Sequence, residues 1–189
     1  MPIKFDETYR LKKIARLTNG CDTILDIGCS QLPNPYFNTE EVYGLDIRKG
    51  ENYDRYKEFY LADVFDLPEP LNDKKFDAVV VGEVLEHVEN PSEFLRCCRT
   101  ATHDNGIIVL STPNPHSIAE CLLTITLNRK YYYTREHIML YPQRWLIRIL
   151  EIAGFNKVKL YSGGTQFPLL GLIPFPRPWC YQTIAVAYA

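Results

Sequence analysis

None of the six cysteines forms a C-x-x-C pair, which removes the zinc knuckles built on that spacing. Cys21, Cys29, Cys97, Cys98, Cys121 and Cys180 read instead as reduced, mostly buried thiols of a cytosolic chain. A basic excess is missing too: 21 Lys and Arg stand against 23 Asp and Glu, for a formal charge of -2. With no basic runs either, this argues against a general nucleic-acid partner, leaving only a local basic groove. No apolar run approaches the ~20 residues that span a bilayer, and Met1 to Asp6 hold no apolar signal core. A soluble, cytoplasmic protein is expected. Glycine is sparse where a dinucleotide would need it. After the apolar run Ile24-Leu25-Asp26-Ile27 the glycines stop at Gly28, and Pro33 and Pro35 interrupt the helix that should follow. The G-x-G-x-x-G turn that seats a pyrophosphate on a helix N-terminus is therefore absent.

What is present is a chain of 189 residues, 46% hydrophobic, without internal repeat or low-complexity tract. That is enough for one domain over residues 1–189 with a large core. Helical spacing of Phe5, Tyr9, Leu11, Ile14 and Leu17 predicts a leading helix. Apolar runs at Thr23 to Ile27, Val42 to Ile47, Phe59 to Ala62, Phe76 to Val81 and Ile107 to Ser111 read as parallel strands buried on both faces. Asn90-Pro91-Ser92-Glu93 is a helix start, with Asn90 as cap and Glu93 at the capping-box position. A further helix runs from about Pro142 to a left-handed cap at Gly154. Phe155 to Ser162 and Gln182 to Tyr188 then form an antiparallel strand pair. The whole predicts an α/β, doubly wound, seven-stranded, mostly parallel, Rossmann-like sheet. Two apolar insertions, near 113–136 and 167–179, do not fit it. Tyr131 to Tyr133 lie in the first, and Leu169, Leu170, Leu172, Ile173, Phe175 and Trp179 in the second. Both leave the sheet near its ligand-binding end and are expected to rim the acceptor side of the pocket.

An acid inside an apolar strand is costly without a partner, which places Asp26 near a ligand. Gly28 lets the backbone approach that ligand closely. Asp46, closing the second strand, can accept hydrogen bonds from both hydroxyls of a ribose. This pair of segments resembles the first motif and its partner in class I S-adenosylmethionine-dependent methyltransferases. The likeness continues through Leu61-Ala62-Asp63-Val64, Glu83-Val84-Leu85-Glu86-His87-Val88, Gly106 to Asn114, and the stretch from His137 to Phe155. Among these the "E-x-L-E-H-V" block is the sharpest, and the nearest pattern is the ubiquinone-biosynthesis type and related small-molecule methyltransferases.

The resemblance implies S-adenosylmethionine as cofactor, held by Asp26, Gly28, Ser30, Asp46, Ile47, Asp63, Val64 and Glu83. Asp26 and Gly28 would take the amino-acid end, Asp46 the ribose, and Asp63 with Val64 the adenine. Ser30, where the family usually has glycine, must alter the turn around the amino-acid end. Oxygen methylation of a small-molecule, sugar or lipid-linked acceptor follows, with His87, His116 or His137 as the proton acceptor, since imidazole titrates near working pH. A helix from the strand tip would put Glu83, Glu86 and His87 on one face. With His137 that face resembles the metal-dependent methyltransferases of RNA 2′-hydroxyls, although no residue is assigned as a metal ligand here. A degenerate, non-catalytic cofactor-binding protein is the other alternative. Peripheral membrane contact is compatible with the apolar insertions, and the oligomeric state is not legible.

Overall fold

The computed structural model describes residues 7–50, 53–126, 136–167, 171–173 and 176–189. The leading helix α1 spans Thr8–Leu17 and buries Arg10, Leu11, Ile14 and Ala15. The strands β1 (Ile24–Ile27), β2 (Val42–Asp46), β3 (Glu58–Leu61) and β4 (Phe76–Gly82) follow, with the four-residue helix α2 (Glu69–Asn72) before the last of them. Then come α3 (Pro91–Ala101), β5 (Thr102–Pro113), α4 (Ile118–Thr126), α5 (Gln143–Ile152) and β6 (Asn156–Ser162). The short strands β7 (Thr165–Phe167) and β8 (Gly171–Ile173) precede the last strand, β9 (Gln182–Tyr188).

Seven strands form one sheet in the order β3-β2-β1-β4-β5-β9-β6. Pairing is parallel from β3 through β5, and β9 runs antiparallel to both β5 and β6. The expected doubly wound sheet and antiparallel final pair are therefore both present. β1 and β2 are buried almost throughout because helices cover both faces. Leu25 and Ile27 point into a core shared with Phe94, Leu95, Leu146 and Leu150 of α3 and α5. Ile24 points to the opposite core, beneath Ile14 of α1, and strand alternation puts Asp26 on that same side. Strand order reverses between β1 and β4, which opens a crevice at their carboxyl ends.

Local chemistry explains the helix boundaries. The Asn90 side chain accepts from the Glu93 amide at 3.3 Å and donates to Glu93 Oε2 at 2.6 Å, a reciprocal cap for α3. Gly154 ends α5 at φ 96°, in the left-handed region. No helix follows β1 before β2, as Pro33 and Pro35 require. One expectation fails. The strand tip after β4 does not open into a helix; a single 3-10 turn over Leu85–His87 follows Glu83, whose φ is +56°. Glu83 and His87 line the cavity at this tip, while Glu86 is buried behind it. α4 lies in the first insertion, and β7 pairs with β8 as a two-stranded ribbon in the second. Tyr131 to Tyr133, Leu169, Leu170 and Phe175 lie outside the described residues.

Phe76 is fully buried and meets Tyr43 edge to face, with ring centroids 5.5 Å apart. Phe76→Ala should cost about 3–5 kcal/mol of unfolding free energy in urea titration. A loss below about 1 kcal/mol would mean that the core closes over the missing ring and does not depend on it.

Candidate active site

The tips of β1, β2 and β4 open onto one cavity of about 920 Å³. Asp26, Gly28, Ser30, Asp46, Ile47, Asp63, Val64 and Glu83 all line it, together with His87. The space suits a ligand of nucleoside size. Gly28 sits at φ +74°, and a Cβ there would come within 2.1 Å of Val84 Cγ2. Glycine is thus demanded twice at this position, by the turn and by the segment after β4 that presses against it.

Asp46 is fixed in orientation. Its Oδ2 accepts from the Ser30 amide at 2.9 Å and its Oδ1 from the Arg48 amide at 2.8 Å. Each carboxylate oxygen has two acceptor sites, so each can take one more donor. Two adjacent hydroxyls on a ligand match that capacity.

Acids cluster at the deep end, where Asp26 and Glu83 line the cavity and Glu86 lies buried behind them. Asp26 is 5% exposed, and burial pushes its pKa up to about 7, against a hydrogen bond donated by Tyr56 OH at 2.9 Å and the positive charge of Arg10. Glu83 accepts from Gln182 Nε2 at 3.0 Å through Oε2, while its buried Oε1 has no partner. Burial raises its pKa as well. Glu86, wholly buried, is pushed to about 8 by burial and then by the charge of Glu83. Its Oε2 accepts from Thr112 Oγ1 at 3.2 Å, and its Oε1 is unpartnered. Arg10, 5% exposed, donates to Ser111 Oγ at 3.1 Å and to Glu7 Oε2 at 2.6 Å. A ligand with a positively charged end would find unspent acceptors here.

The three histidines separate. His87 faces the cavity, with Nδ1 2.7 Å from the Glu136 carbonyl. A carbonyl only accepts, so Nδ1 carries the proton and Nε2 of the neutral ring offers a lone pair. His137 stacks edge to face on His87 at 4.8 Å but does not line the cavity, and burial lowers its pKa. His116 is exposed and also lies outside the lining, in a turn where its amide donates to Asn114 Oδ1 at 3.1 Å. Glu86, His87 and His137 nevertheless bring three potential ligand atoms within 4.8 Å of one another, a set that excludes Glu83.

Sequence reasoning missed Arg10 and Tyr56. A charge beside Leu11 on the apolar face of α1 was the available signal for Arg10. Nothing local marks Tyr56, which reaches Asp26 across 30 residues.

Comparison with known proteins follows this geometry. Residues 7–160 match the family described as the methyltransferase domain. A mitochondrial ubiquinone biosynthesis O-methyltransferase of Arabidopsis thaliana is 36% identical over 94 residues, 43% of this chain but only 29% of that protein. Among solved structures, an S-adenosylmethionine-dependent methyltransferase from Thermotoga maritima superposes with a TM-score of 0.76 at 14% identity, over 97% of this chain and 89% of that one. A small RNA methyltransferase superposes with a TM-score of 0.68 at 19% identity, over 96% of this chain and 24% of the other. At such identities the superpositions establish the fold.

The raised pKa of Asp26 carries a pH signature. In the unfolded chain this carboxyl ionises near pH 4, whereas in the folded protein it holds its proton to about pH 7. Its contribution is therefore fully present below pH 4 and is lost as pH rises to about 7. Asp26→Asn should raise stability at pH 8 by about 2–4 kcal/mol relative to the parent, with the gain fading toward pH 4. Denaturant melts of the ligand-free protein across that range test this, and a gain that does not vary with pH would contradict it.

Proposed function

The chain belongs to the S-adenosylmethionine-dependent methyltransferase family, and from that premise we propose that it methylates an oxygen atom of a small or lipid-linked acceptor. The observation that carries this reading is the convergence of the eight cofactor residues on one cavity with His87 on its wall. The curated relative that it partly matches is named an O-methyltransferase, which favours oxygen over nitrogen as the acceptor atom.

The residues fit the cofactor. Asp46 would hold the ribose hydroxyls with the acceptor capacity left beside its two amide bonds. Asp26 and Glu83 would face the cationic amino-acid end, where the unpartnered Glu83 Oε1 needs a donor. Asp63 and Val64, on the cavity wall beyond β3, would border the adenine. When bound, the cofactor supplies an electrophilic methyl group on a positively charged sulfur. The protein's part is then to align the acceptor and to take its proton. His87 Nε2 is suited to that second task because the Glu136 carbonyl fixes the tautomer and the ring orientation.

A second reading rests on the Glu86, His87 and His137 cluster. A divalent cation held there would lower the pKa of an acceptor hydroxyl and would displace the proton from Glu86. The near-neutral charge of the chain weighs against RNA as that acceptor.

Calorimetric titration with S-adenosylmethionine and S-adenosylhomocysteine tests the proposal, and silence at millimolar concentration would overturn it. Asp46→Ala should weaken either ligand by about 2 kcal/mol, roughly thirtyfold. Once an acceptor is known, exhaustive chelation separates the two readings. Turnover that survives chelator but is lost in His87→Ala supports the base, whereas turnover restored by added magnesium or manganese supports the metal.

A further inference from the structure

Ser30 stands where a second glycine is usual in this family, and in the structure it touches the neighbouring loop through both its amide and its hydroxyl. The amide donates to Asp46 Oδ2 at 2.9 Å, and Oγ donates to the Arg48 carbonyl at 2.6 Å. Arg48 completes the circuit, since its own amide donates to Asp46 Oδ1 at 2.8 Å. Two hydrogen bonds, both from Ser30, therefore tie the turn after β1 to the turn after β2, and the Arg48 amide holds the Asp46 carboxylate from within its own loop. The two turns are pressed together: a Cβ on Gly50 would come within 2.0 Å of the Ser30 carbonyl oxygen. Ser30 is only 6% exposed.

The sequence suggested that Ser30 would act on the amino-acid end of the cofactor. Its geometry points elsewhere. The hydroxyl proton is committed to Arg48 and the amide to Asp46, so the donors of Ser30 are spent within the protein. We propose that Ser30 is a positioning residue for the ribose, acting through Asp46. A glycine at this position would keep the amide bond to Asp46 but lose the hydroxyl bond to Arg48. The serine hydroxyl closes the loop after β2 beforehand and presents the Asp46 carboxylate in one orientation, which removes an ordering cost from binding. This rests on the reading that the cavity takes an adenosyl ligand.

Calorimetry with two ligands and a double-mutant cycle tests it. S-adenosylhomocysteine carries both a ribose and an amino-acid end, whereas 5′-methylthioadenosine keeps the ribose and lacks the amino acid. Ser30→Ala should weaken both by about the same factor, roughly fivefold to tenfold for one lost hydrogen bond and its ordering effect. Ser30→Thr, which keeps the hydroxyl, should retain most of the parent's affinity. In an Asp46→Ala background, Ser30→Ala should cost less than about twofold, because the group it positions is gone. Ser30→Gly, which deletes the hydroxyl and keeps the amide, is the second variant if Ser30→Ala does not fold. A loss confined to S-adenosylhomocysteine would place Ser30 at the amino-acid end and overturn the proposal. Equal losses with and without Asp46, unchanged affinity, or unfolding of both truncated variants would overturn it too, by making Ser30 a general structural element or a bystander. If the parent binds neither ligand while remaining folded, the functional reading itself falls and this inference falls with it.

Discussion

One buried arginine ties the functional end of this molecule together. Arg10 reaches from α1 to Ser111 near the end of β5 and holds Glu7 beside it. Its charge also draws down the pKa of Asp26, Glu83 and Glu86, which burial pushes upward. Taking a guanidinium out of water is expensive without partners, and taking out several carboxyls is worse. The arginine and the acids offset one another, although the acids oppose each other's ionisation. Gly82 at the end of β4 lies close beneath the arginine, where a Cβ would stand 3.0 Å from Arg10 Nη1. α1 is therefore more than a cover for the sheet. It delivers the cation that offsets the acids carried at the ends of β1 and β4.

A single guanidinium does not neutralise that set. Asp26 and Glu86 hold their protons to about pH 7 and 8, and Glu83 is shifted in the same direction. Burial thus disfavours the charged forms of Asp26 and Glu83, and a cationic ligand beside them would favour those forms. The sulfonium and ammonium groups of the cofactor both have the right sign. Asp26 and Glu83, which would face these groups, would therefore hold the cofactor more favourably than a product whose sulfur is uncharged. Substrate preference and product release would then share one physical origin.

Much of this was legible in sequence, and the exceptions have physical causes. β1, β2 and β4 showed as mostly apolar runs because they are covered on both faces. Asp26, Gly28 and Asp46 stood out because each breaks the local rule for a strand or its turn. The start of β5 did not show: Thr102 pairs with Phe76, but His103, Asp104 and Asn105 after it are exposed and polar and carry no strand pattern. The expected helix at Glu83 failed because helical spacing says nothing of a positive φ. That backbone bend lets Val84 fill the space above Gly28 and sends Glu86 inward to Thr112. Tyr56 and Arg10 act across 30 and 101 residues, distances over which a periodicity cannot speak.

The same distinction separates the two sides of the cavity. The cofactor side is made by strand tips and backbone amides, and their geometry follows from sheet register. Register is set by the apolar pattern, so the contacts it positions leave a local trace in the chain. The acceptor side depends on the turn over Leu85–His87 and on Glu136 and His137, segments distant in sequence that meet through the His87 to Glu136 bond and through the amides of Ile138 and Met139 on the Glu86 carbonyl. Such a junction can be rebuilt by changing an insertion without disturbing the sheet. On the proposed reading the acceptor would depend on that junction, and that is why the cofactor residues could be named from sequence while the acceptor could not.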